Sequence, residues 1–183
     1  AYWYVYHVAT GNDTMTYLNL TNAAQSLSSQ FSTPTTTTFN VSNENSTFSG
    51  YNTSGNTYVA YVFADIQGYS KCGSYIGNAS ANGPFIYTGF KPAWVMIKTL
   101  STADDWYIFD NKRAGFNPEV FRLRANTTGT ETTGTNNTVD HLSNGFKLRF
   151  TGGSINGSGL AYLYIAFAEN PFTTSTGIPA TAR

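Results

Sequence analysis

The feature that most restricts how this chain can fold is an internal repeat. Trp3-Tyr4-Val5-Tyr6-His7 matches Trp106-Tyr107-Ile108-Phe109-Asp110 at an offset of 103 residues, and Tyr17-Leu18-Asn19-Leu20 stands opposite Val120-Phe121-Arg122-Leu123 at the same offset. Ser54-Gly55 then matches Ser158-Gly159, Tyr58 matches Tyr162, and Phe63-Ala64-Asp65 matches Phe167-Ala168-Glu169, all at an offset of 104. Order and spacing hold across three blocks, which is the mark of a duplicated structural unit. The fold is therefore expected to contain two diverged copies of one strand motif.

Strand signals dominate both copies. Apolar or alternating runs predict strands over 2–8, 15–20, 36–41, 58–66, 69–76, 84–89, 93–99, 106–110, 120–124, 145–151 and 160–169. Thr, Ser, Asn and Gly fill the intervals, and these residues favour turns and loops. Only 23–29 reads as a short helix. The segments 120–124 and 145–151 alternate, one face toward a core and the other toward water. By contrast 58–64 and 160–168 are apolar on both faces and belong at the centre of a covered sheet or at a subunit interface. The predicted class is all-β, a β-sandwich or jelly-roll-like fold. Its expected divisions are a first repeat over 1–67, connecting strands over 68–89, a second repeat over 90–172 and a C-terminal tail over 173–183.

The repeat also exposes a gap. Copy two has an apolar strand over 90–99 ahead of Trp106, whereas only Ala1 and Tyr2 precede Trp3. Copy one is thus expected to lack its first strand and to leave an open sheet edge at Tyr2, Trp3, Tyr4, Val5 and Tyr6. A strand from a neighbouring chain, or from an upstream segment, is expected to complete that edge. The start at Ala1 without Met suggests a processed or partial chain.

Charge excludes several functions. Charged residues make up 11% of the chain against 16% aromatics, a balance that argues against disorder. Ten basic and ten acidic residues cancel, and the basic ones all follow residue 70, with no basic stripe. Nucleic-acid binding by phosphate neutralisation is therefore not expected. No apolar run is long enough to span a membrane. Cys72 is the only cysteine, so no intrachain disulfide forms, and a small apolar role is expected for it.

Candidate chemistry is sparse. His7 and His141 are the only histidines, and neither accompanies a nucleophile motif. Asp65 and Glu169 resemble a pair of glycosidase acids, but duplication alone explains their correspondence. Asp104, Asp105 and Asp110 are oxygen donors of the kind calcium takes, and an acidic hairpin accounts for them equally well. No catalytic residue, cofactor or metal is expected, and the chain reads as a non-enzyme. Sequons stand at Asn12, Asn19, Asn40, Asn45, Asn52, Asn78, Asn126, Asn136 and Asn156, candidates for N-glycosylation in a host that glycosylates exported proteins. Tyr51, Tyr69, Tyr75 and Trp94 are candidates for stacking on glycans, although core packing suits Trp94 better.

Several segments carry a resemblance to a known group. They are Gly68-Tyr-Ser-Lys-Cys-Gly-Ser-Tyr-Ile-Gly-Asn78, Gly83-Pro-Phe-Ile-Tyr-Thr-Gly-Phe-Lys-Pro-Ala93, Trp106-Tyr-Ile-Phe-Asp-Asn-Lys-Arg113, Leu142-Ser-Asn-Gly-Phe-Lys-Leu-Arg149 and Ala166-Phe-Ala-Glu-Asn-Pro-Phe172, with the ending 175–183. Together they resemble a C-terminal domain of bacteriophage virion structural proteins, especially tail-fibre-like proteins of marine phages. The resemblance is strongest over 68–183. It implies a virion appendage or surface component that assembles as an oligomer with itself or other virion proteins and contacts host glycans. A secreted, glycosylated fibril subunit is the alternative, and a glycan-active enzyme a more distant one. The location implied is a virion surface, or otherwise extracellular.

Overall fold

A computed structural model describes residues 2–26, 31–41 and 50–171. Among the described residues every regular element is a strand, and every ladder is antiparallel. The all-β class follows directly from the period-two runs.

The first half builds one small sheet. β1 (Tyr4–Val5), β2 (Thr14–Tyr17) and β3 (Gln25–Ser26) lie in the order β1-β2-β3, with Tyr4 opposite Tyr17 and Val5 opposite Thr16. Met15 and Tyr17 are its buried centre, with Tyr4, Leu20 and Phe31 packed around them. Where a short helix was expected over 23–29, residues 25–26 form β3, and 27–29 lie outside the described residues.

The remainder carries two facing sheets. β4 (Ser70–Ile76), β5 (Phe85–Tyr87), β6 (Pro92–Thr99), β7 (Trp106–Asp110), β8 (Leu123–Arg124), β9 (Val139–Leu142), β10 (Gly145–Leu148) and β11 (Ala161–Ala168) follow in chain order. Five of them pair as β4-β11-β6-β7-β8, and three as β5-β10-β9. Val95, Ile97, Phe109, Tyr162 and Tyr164 from the larger sheet meet Ile86, Val139, Phe146 and Leu148 from the smaller in one buried cluster. This is two-sheet packing over a shared core. Residues 68–89, expected as connecting strands, supply β4 and β5, each hydrogen-bonded into one of the two sheets. The tail over 173–183 lies outside the described residues.

Alternation along β11 turns Leu163 and Ile165 to the opposite face of the large sheet, where both are buried. The first half covers part of that face. Trp106 is 1% exposed, and its indole Nε1 donates to Tyr17 O at 2.8 Å. Lys98 is wholly buried, and its ammonium donates to Thr21 O at 3.0 Å and Asp104 O at 2.8 Å. Backbone bonds from Ala24 N to Leu100 O and from Asp104 N to Thr21 O complete the clasp.

A set of hydrogen bonds recurs in both halves. Trp3 N donates to Asn19 Oδ1 and Trp106 N to Asn126 Oδ1, each at 2.9 Å. Leu18 N donates to Trp3 O, as Ala125 N does to Trp106 O. Ala9 N donates to His7 Nδ1, as Lys112 N does to Asp110 Oδ1. Thr53 N donates to Tyr58 Oη at 3.0 Å and Gly157 N to Tyr162 Oη at 2.7 Å. Asn56 N donates to Thr53 O and Leu160 N to Gly157 O. Inside that last turn Gly55 and Gly159 have φ of 84° and 71°, which a residue with a Cβ rarely adopts.

These bonds place Asn19 with Asn126, so the second strand of each hairpin aligns at 107 rather than the expected 103. The loop after Trp106 is four residues longer than the loop after Trp3. The expected in–out alternation over 120–124 also fails, because Arg122 is buried and donates from Nη1 to Asn136 O.

Candidate assembly surface

The largest departure from expectation is the segment 58–66. Apolar on both faces over 58–64, it is expected as a strand at the centre of a covered sheet or at a subunit interface, and among the described residues it forms no ladder between Asn56 and Asp65. Only Ile66 makes a bridge, to Ser70. Among the described residues the amides and carbonyls of 59–63 have no hydrogen-bond partner, and Ala64 O accepts from Ser70 Oγ. Val59, Tyr61, Val62 and Phe63 are 65, 70, 68 and 57% exposed. An extended apolar run with free backbone groups is an open pairing template. Burying such side chains is worth about 1.5–3 kcal/mol each.

β11, which matches this segment at an offset of 104, has β4 on one side and β6 on the other. β7, which matches β1, has β6 on one side and β8 on the other. In the first half β1 pairs with β2, and among the described residues no other strand pairs with β1. β1 is consequently an edge strand, with Tyr2 and Trp3 58 and 46% exposed and Tyr4, Val5 and Tyr6 half-buried. The Trp3 and Tyr61 rings stack at 6.2 Å, which brings the unpaired segment beside the start of β1.

The profile of a family described as a domain of unknown function, DUF7483, matches residues 1–171. This chain belongs to the DUF7483 family. No curated protein and no solved structure matches it. The unpaired segment lies within the DUF7483 match, as do β1 and β6.

The glycan-contact candidates of this DUF7483 chain do not form one surface. Tyr75 is buried, stacked on Tyr162 at 5.0 Å, with its hydroxyl donating to Ile155 O at 2.7 Å. It is a core residue with no free face, which corrects the sequence expectation. Tyr51 packs against Tyr4 and Phe31 in the first half. Tyr69 and Trp94 do come together, both against Phe167 at 6.0 and 5.6 Å, and Phe63 of the unpaired segment meets the same ring at 5.7 Å.

Sequons divide in the same way. Asn156 is wholly buried, its Oδ1 accepting from Asn78 N and its Nδ2 donating to Asn78 Oδ1, Ser80 O and Phe150 O. It cannot carry a glycan in this fold, again a correction. Asn126 Nδ2 is engaged by Asp105 Oδ1, and Asn12 Nδ2 by Thr33 Oγ1. Asn40, Asn78 and Asn136 are exposed, and Asn19 and Asn52 half-buried; Asn45 lies outside the described residues.

The acidic candidates are held by protein partners. Glu169 pairs with Lys112 and Lys91, each at 2.7 Å, and these ammonium groups hold its carboxyl down to about 2. Asp65 pairs with Lys71 and accepts from Cys72 N at 2.6 Å. Asp104 accepts from the Tyr107 hydroxyl, Asp105 from Arg124 and Asn126, and Asp110 from Arg113. Among the described residues no three His, Cys, Asp or Glu side chains are grouped to hold a metal ion. Burial pushes the Cys72 thiol up to about 11, which suits an inert side chain. Among the described residues no helix is long and apolar enough to cross a membrane.

Both histidines serve the fold. His7 Nδ1 accepts from Ala9 N, so Nε2 carries the proton and donates to Tyr164 O at 3.1 Å. His141 Nδ1 lies 3.1 Å from Pro92 O, and its backbone amide donates to Asn117 Oδ1. Burial lowers the pKa of both, to about 4 for His141.

Proposed function

We propose that this chain is a non-enzymatic structural module that assembles as an oligomer by strand addition at the β1 edge. The observation that carries the reading is the bare, apolar backbone of 59–63 beside an edge strand. The phage-like segments 68–93 and 166–172 favour a place in a virion appendage or on a virion surface, with other copies or other virion proteins as partners. Tyr69, Trp94 and Phe63 around Phe167 supply apolar area suited to host glycans at that surface. The open edge equally suits an extracellular fibril subunit, and the exposed sequons Asn40, Asn78 and Asn136 favour that second reading.

Two measurements test this. Sedimentation velocity is expected to show an oligomer that Tyr61→Lys with Val62→Lys converts to monomer; an assembly indifferent to both substitutions contradicts the role of the segment. Particles containing the chain are expected to carry capsid and tail proteins. Free filaments with glycans on the exposed sequons contradict the virion placement and favour the fibril.

A further inference from the structure

The smaller sheet turns Ile86, Phe146, Leu148 and Val139 into the core. Alternation therefore sends Phe85 and Tyr87 of β5, Gly145 and Lys147 of β10, and Asp140 and Leu142 of β9 to its outer face. The ladders set them in two rows. Phe85, Lys147 and Asp140 lie side by side across the three strands, and so do Tyr87, Gly145 and Leu142. Phe85 and Tyr87 are 44 and 65% exposed, and they stand about 7 Å apart along one strand. A Cβ on Gly145 would come within 2.9 Å of the Phe85 ring, so the bare glycine lets that ring lie against the sheet. Asp140 also lines a cleft of about 450 Å³, together with Pro118, Val120, Thr135, Thr138 and Arg149. It is 6% exposed, and its Oδ2 accepts from Arg149 Nε at 2.5 Å. Among the described residues Asp140 Oδ1 and the Arg149 Nη groups have no hydrogen-bond partner, and the Lys147 ammonium has no ion-pair partner. Two cations against one carboxylate leave this group with an excess of positive charge.

We propose that this face binds an acidic oligosaccharide. Its sugar rings stack on Phe85 and Tyr87, a sugar carboxylate meets Lys147, and ring hydroxyls enter the cleft at Asp140 and Arg149. Each part follows from the chemistry present. An aromatic face takes the apolar C–H side of a sugar ring while the hydroxyls at the rim stay wet. A carboxylate only accepts and a guanidinium only donates, so the Asp140–Arg149 pair suits hydroxyl groups, which do both. The free ammonium of Lys147 gives a carboxylate a charge-assisted bond, and the excess positive charge favours an anion over a neutral chain. A peptide strand finds no ladder here, because β10 already pairs with β5 on one side and β9 on the other. From Phe85 to Asp140 is two strand spacings, about 10 Å, which gives room for two sugar rings. The proposal rests on the glycan-contact reading above for its class of ligand alone; its site is distinct from the rings around Phe167.

The test applies the whole chain, fluorescently labelled, to an array of galacturonate, guluronate and glucuronate oligosaccharides beside their uncharged counterparts. Retention on the acidic sugars is expected, with the uncharged ones about tenfold weaker. Tyr87→Ala is expected to weaken binding about tenfold through the lost stacking. Lys147→Gln is expected to erase the preference for acids over uncharged sugars. Thr135→Tyr, which fills the cleft from an exposed position, is expected to weaken binding as much as Tyr87→Ala does. All three positions lie outside the buried core, so an unchanged thermal midpoint accompanies each substitution. Binding that survives these changes but falls with Trp94→Ala places the sugar at Phe167; this site is then wrong and the earlier glycan contact stands. Equal retention of acidic and uncharged sugars overturns the acidic class of ligand. Retention of no sugar at all overturns this site and the glycan contact together, and leaves strand addition to its own test.

Discussion

At the residue scale, the polar groups buried in this fold are those that make it specific. Asn156 engages four partners with no solvent contact, and removing it leaves a backbone amide and two carbonyls unpaired. Asn156→Ala is expected to lower stability by about 3 kcal/mol, read as a fall in the urea midpoint with the slope unchanged. The histidines set an acid limit. Both are neutral in the fold below their ordinary value of 6.5 and protonate freely once it opens, so the unfolded chain binds more protons. Stability is therefore expected to fall as pH drops from 6.5 toward about 4, by up to about 3 kcal/mol for His141. Urea titrations across that window check it, and His141→Gln flattens the slope. None of this was legible in the sequence. Asn156 looks there like one sequon among nine, and Tyr75 like a surface aromatic, because composition does not say which polar side chain meets a ring of backbone groups.

At the element scale, strands with dense apolar alternation were legible and sparse ones were not. β7 appears over the residues its pattern predicts, and β4, β6, β10 and β11 within a few residues of theirs. β9 was missed because Asp140 and His141 occupy its centre; both are buried, Asp140 against Arg149 at 2.5 Å. β3 was read as helix because two strand residues give no period to detect. The segment 58–66 has the apolar chemistry of a strand, yet among the described residues its one bridge is from Ile66 to Ser70. The clasp between halves also escaped, since a lysine at position 98 inside a buried strand reads as a surface residue. Burial lowers that ammonium to about 8 from 10.5, so the unfolded chain holds the proton more tightly and stability is expected to rise with pH between those values. Lys98→Met is expected to remove that rise and to speed amide exchange in β2 and at Thr21, because the bond to Thr21 O is lost.

At the scale of the whole molecule, a sandwich with its own core carries a smaller three-stranded sheet with a separate buried cluster. The two buried clusters are separate, so the clasp through Trp106 and Lys98 ties the first half to the second. The repeat was legible from the sequence; the four-residue difference between hairpin loops was not, because only the bonds of Asn19 and Asn126 fix the alignment. The most direct test of this account is amide hydrogen exchange over 59–63, measured for the isolated chain and for its assembled form. The account predicts exchange close to the unprotected rate in the isolated chain and strong slowing at alternate amides on assembly. Equal, rapid exchange of those amides in both forms would contradict it.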